Sequence, residues 1–149
     1  SESIEQCEAA LELNPDFQPA WARLRSAYEG MGQYQEAAVA FQRDRILGGA
    51  SQEEVAGLAE AAALGAESYW RWTLVYFTER VKRGESVSPT RFARIYVQLG
   101  EKDQALEWLE KAFAERETGL TFLKTDPDWD PLRDDPRFSD LLRRMNPEP

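Results

Sequence analysis

Residues in this chain recur at a fixed interval. Leu24, Tyr28, Gly32, Ala37 and Phe41 are followed 68 residues later by Phe92, Tyr96, Gly100, Ala105 and Leu109. That step is two units of 34. One unit back from the register that puts Trp21 at position 4, Ala10 and Pro15 fall at positions 27 and 32. A unit of this length cannot bury its apolar face alone. It must stack on its neighbours, which limits the chain to an array of like elements.

Each element reads as a helix. Trp21, Leu24, Ala27, Tyr28 and Met31 keep spacings of three and four, and so do the apolar residues of 34–47. Alanine, the strongest helix former, accounts for 19 of the 149 residues, and the strand-like run at 75–77 lies inside a longer helical pattern. Glycine and proline divide the helices. Asn14-Pro15 closes the first. Gly30 and Gly32 follow the second, and Gly48-Gly49 the third. Ser51 with Glu54 makes a capping box for a helix reaching about Leu64. Helices are predicted from Glu67 to about Arg83, from Ser88-Pro89 to Leu99, and from Lys102 to about Arg116. The fold class is all-α: a solenoid of antiparallel helix pairs with a C-terminal helical cap.

The residues Trp21-x-x-Leu24, Tyr28, Ala37-x-x-x-Phe41 and ELNPDF at 12–17, with Tyr96, LGEKDQA at 99–105 and Ala112, resemble the tetratricopeptide repeat. In that pattern small residues at positions 20 and 27 let two helices approach, and large ones at 4, 11 and 24 fill the space between them. Two positions depart from it, Arg25 at position 8 and Asp44 at position 27. The expected divisions are a partial repeat at 1–17, a repeat at 18–51, a degenerate repeat at 52–85, a repeat at 86–119 and a cap at 120–149. LGEKDQALEWLEKAFAER, followed by LTFLKTDPDWDPLRDDPRFSDLLRRM, resembles the C-terminal tetratricopeptide region of bacterial winged-helix regulators, serine/threonine kinases and cyclase-like signalling proteins.

Composition removes several chemistries. With no histidine and only Cys7, the chain has no Ser-His-Asp triad, no Cys-His pair and no ligand set for the usual structural zinc sites. Its net charge of −9 argues against holding nucleic-acid phosphates, and no apolar run is long enough for a membrane helix. Asp126-x-Asp128-x-Asp130 starts like a calcium loop, but Pro131 replaces the glycine at the sixth position and Arg137 the glutamate at the twelfth. Three Asp-Pro steps, at 126, 130 and 135, fit better as N-caps with proline at the first helical position. Phe122, Trp129, Leu132, Phe138, Leu141 and Leu142 would then fold back as the cap. No enzyme activity, cofactor or metal is expected, and the lone cysteine favours a cytoplasmic setting.

The resemblance implies a scaffold that binds a protein or peptide within a larger signalling protein. The alternative is a sensory domain that takes a peptide or small molecule in its concave groove and controls an effector domain. Groove positions of the family fall on Arg23, Ser26, Glu29, Glu60, Arg91, Arg94 and Gln98. The aromatics Tyr69, Trp70 and Trp72 are candidates for an exposed partner patch, with burial between flanking repeats as the other reading. Residues 1–14 look like the second helix of a pair. Ile4, Cys7, Ala10 and Leu11 would pack on the Trp21 helix and leave a bare apolar surface, so either a homodimer through this edge or fraying of its first turn is expected.

Overall fold

A computed structural model describes residues 2–116, 120 and 123–145. Helices run over Glu2–Leu13 (α1), Gln18–Gly30 (α2), Tyr34–Leu47 (α3), Gln52–Val55 (α4), Leu58–Leu64 (α5), Ala66–Lys82 (α6), Pro89–Gln98 (α7) and Lys102–Ala114 (α8). A 3-10 helix at Pro127–Leu132 and α9 at Pro136–Met145 follow. No strand occurs among the described residues, so the fold is all-α and tetratricopeptide-like. The chain divides into two compact units, Ser1–Trp72 and Thr73–Pro149.

The first unit is built on the α2/α3 hairpin. Gly30 ends α2, and Gly32 then takes a φ of 75°, the left-handed conformation that glycine adopts without steric penalty. The Gln33 N–H donates to Tyr28 O at 2.9 Å, and the Gly32 N–H to Glu29 O at 3.1 Å. This is a Schellman turn, and it satisfies carbonyls left over at the helix end. It folds α3 back so that Ala37, Ala38, Ala40 and Phe41 are buried. On the other side of α2, buried Ile4 and Cys7 of α1 pack with Ala20, Leu24 and Ala40.

The second unit repeats the construction. Gly100 has a φ of 74°, the Glu101 N–H donates to Tyr96 O at 2.9 Å, and the Gly100 N–H donates to Val97 O at 3.0 Å. Ala105, Leu109 and Ala112 of α8 are buried against α7. The 68-residue recurrence in sequence is thus a recurrence of one hairpin. A matched pair of outcomes is expected from Gly32→Ala and Gly100→Ala. Neither added methyl would touch another atom within 4 Å, so only the left-handed backbone is strained. Each should cost roughly 1–2 kcal/mol in chemical denaturation, and by the same amount.

Three expectations need correction. The helix expected from 52 to 64 is broken at Ala56–Gly57, where the Trp72 indole lies over Gly57. A methyl on Gly57 would sit 2.9 Å from Trp72 Nε1. The Asp130-Pro131 step starts no helix, because Pro131 lies inside the 3-10 helix. Asp126 and Asp135 do cap, accepting from the Asp128 and Arg137 N–H groups at 2.9 Å each. The bare apolar surface expected on α1 is largely polar: Glu5, Gln6, Glu8 and Glu12 face solvent, and Leu13 is the exposed large apolar side chain.

The tail folds onto the α7/α8 hairpin. Trp129, Leu132, Phe138 and Leu141 are fully buried with Ala93, Val97, Leu106 and Ala112, and Leu142 packs beside them. Phe122 lies outside the described residues.

Candidate functional site

The sequence candidates divide by what the structure has done with them. Arg23 and Ser26 are exposed on α2, and Glu60 is exposed on α5, which packs on α3. Glu29 is not a surface group. It accepts from Arg25 at 2.8 Å, one helical turn back, and from the Tyr69 hydroxyl at 2.6 Å. Arg25, which departs from the repeat pattern, is therefore one end of a half-buried chain joining α2 to α6. Asp44, the other departure, accepts from Gln18 Nε2 at 3.0 Å through its carboxylate and at 3.1 Å through its carbonyl oxygen. That contact ties the start of α2 to the end of α3.

The aromatic patch is corrected in the same way. Tyr69 and Trp70 are buried and Trp72 is half-buried, so these rings are core. Tyr34 is the residue that holds them. Its ring lies 5.0 Å from Tyr69 and 5.9 Å from Trp70, and its hydroxyl accepts from Trp70 Nε1 at 3.2 Å. Trp72 meets Phe41 edge-on at 6.0 Å. Tyr69 and Trp70 thus share Tyr34, while Trp72 meets Phe41 instead.

Burial, and then the Glu29 charge, push the Tyr69 phenol far above its usual 10. An unfolded tyrosine ionises near 10, so this residue stabilises the fold below that pH and loses the contribution as pH rises beyond it. Tyr69→Phe is expected to cost about 1.5–3 kcal/mol at neutral pH, because a charged acceptor loses its donor. It should also flatten the fall in stability above pH ~10. Equal alkaline slopes for the two proteins in denaturant titrations would refute the assignment.

In the second unit, the α7 candidates share one face. Gln98 is exposed, and the Arg91 guanidinium lies 4.8 Å above the Phe77 ring. Arg94 holds the tail. It donates to Asp126 at 2.9 Å and to Asp128, and its guanidinium lies 4.9 Å from the Trp129 ring centroid. Burial acts to raise the Asp126 carboxyl, but the Asp128 N–H and Arg94 together hold it below the ordinary range. Burial and the Asp126 charge push Asp128 the other way. Arg133 pairs with Asp130 at 2.6 Å and donates to Asp126 O at 2.8 Å. The acidic run thus organises arginines. Among the described residues, no group of three or more His, Cys, Asp or Glu is placed to hold a metal ion.

The α7/α8 hairpin is also where a family model matches. Residues 90–117 match the model of the tetratricopeptide repeat. The chain carries a tetratricopeptide repeat. No curated protein and no solved structure matches the chain. Tetratricopeptide repeats are non-catalytic modules that generally mediate protein–protein interaction. In this repeat Ala105 and Ala112 are buried on α8 and Phe92 is buried on α7. No helix among the described residues is long and apolar enough to cross a membrane.

Sequence reasoning missed one surface. Alongside α2, an open groove of about 530 Å³ runs between α1 and α3 and is lined only by apolar, aromatic and glutamate side chains. Its signal was Glu8 and Glu12 one helical turn apart on α1, beside Leu11.

Proposed function

We propose that this chain is a non-catalytic interaction module that binds a protein or peptide partner as part of a larger bacterial regulatory or signalling protein. The observation that carries the reading is the tetratricopeptide repeat at 90–117, whose turn recurs in the α2/α3 hairpin. The wider setting rests on the likeness of the C-terminal run to that of signalling proteins. Exposed Arg23 and Ser26 on α2, Glu60 on α5 and Gln98 on α7 offer polar contacts for such a partner.

Selection of random peptides displayed on phage tests the reading. The expected result is enrichment of one peptide family with specific, saturable binding to the folded chain. No enrichment over repeated rounds, with the chain shown folded by circular dichroism, would overturn it.

A further inference from the structure

The groove along α2 differs in kind from the Arg23 face. Trp21, Leu24 and Tyr28 lie on one side of the helix, while Arg23 and Ser26 lie on the other. Leu11, Trp21 and Tyr28 give the groove an apolar and aromatic floor, and Glu8, Glu12 and Glu36 stand along its edges. All three glutamates are exposed, and no lysine or arginine lines the groove. Arg43, which is not among the lining residues, lies 5.7 Å from the Trp21 ring centroid and 3.7 Å from Asp16.

Like charges one turn apart on a helix cost a few tenths of a kcal/mol. Here Glu8 and Glu12 are so spaced, with Glu36 on α3 across the groove. The Tyr28 phenol is held above its usual range by burial and then by the charges of Glu8 and Glu36. The negative field therefore reaches the floor. A neutral or acidic occupant would leave that field uncompensated, whereas a cationic one would turn it into attraction.

We infer that this groove is a docking site for a basic segment of a partner protein, with an apolar side chain on the Trp21–Tyr28 floor and flanking Lys or Arg against the glutamates. The inference rests on the interaction reading above and differs from it in naming the face and the charge of the partner.

The test uses the whole chain and a fluorescein-labelled 12-residue peptide of leucine and lysine, beside a version with glutamate for lysine. Fluorescence anisotropy should show saturable binding of the first and none of the second, weakened by added salt. The triple variant Glu8→Gln, Glu12→Gln, Glu36→Gln alters only exposed groups and should lower affinity about tenfold. Lys102→Gln, an exposed change on α8 outside the groove lining, should leave affinity unchanged. Equal binding of both peptides, or no effect of the triple variant, would overturn the inference. Phage-selected peptides lost in Arg23→Glu but kept in the triple variant would overturn it too, while leaving the interaction reading intact. Failure of every peptide at both faces would overturn both.

Discussion

Trp129→Ala is expected to destabilise the second unit by roughly 3–5 kcal/mol. Trp129 is fully buried, with fully buried Leu132, Phe138 and Leu141 in the same cluster, so truncation opens a large cavity. The change also removes the ring beneath the Arg94 guanidinium, which is held by Asp126 and Asp128. The tail should therefore loosen from α7, and limited proteolysis should cut within 123–145 faster than in the parent chain. Trp129→Phe separates volume from hydrogen bonding. Among the described residues, no hydrogen-bond partner meets the buried Trp129 Nε1, so losing it removes no described bond. The Phe variant should keep most of the stability, and a loss as large as that of the Ala variant would show that the indole nitrogen matters and refute this account.

How far the structure was legible in the sequence depended on the range of the interaction. The hairpins were legible because their determinants are local: Tyr28, Gly32 and Ala37 lie within one turn, and Tyr96, Gly100 and Ala105 repeat them. Asp126 and Asp135 were legible as caps because a cap is a contact over two residues. The break at Gly57 was not, since nothing local marks it and the indole that lies over it, Trp72, belongs to another helix. Arg25 looked like an exception to a pattern until Tyr69 supplied the far end of its chain through Glu29. Register puts Arg94 on the same face of α7 as exposed Gln98, yet register is blind to the tail that closes on it. Groove positions carried over from a repeat family hold only where no other element has claimed the side chain. By that measure Arg23, Ser26 and Gln98 stay exposed, while Glu29 and Arg94 are committed to the fold.

The 34-residue register itself carries the other large expected effect. It places Phe41 and Leu109 at the same position, and both are fully buried. Phe41→Ala should cost about 3–5 kcal/mol and Leu109→Ala about 2–5 kcal/mol, the spread reflecting how far each site can collapse. Phe41 also meets the edge of Trp72 at 6.0 Å, a contact that its truncation would forfeit. Neighbours two residues away provide the contrast. Val39 is 54% exposed and Glu107 is exposed, so Val39→Ala and Glu107→Ala should each stay within about 0.5 kcal/mol of the parent. The four variants, compared by urea denaturation, read the register directly, since a shift of two residues along either helix would exchange the large and small values. Losses of similar size at Val39 and Phe41, or at Glu107 and Leu109, would mean that the repeat had been aligned to the wrong face of its second helix.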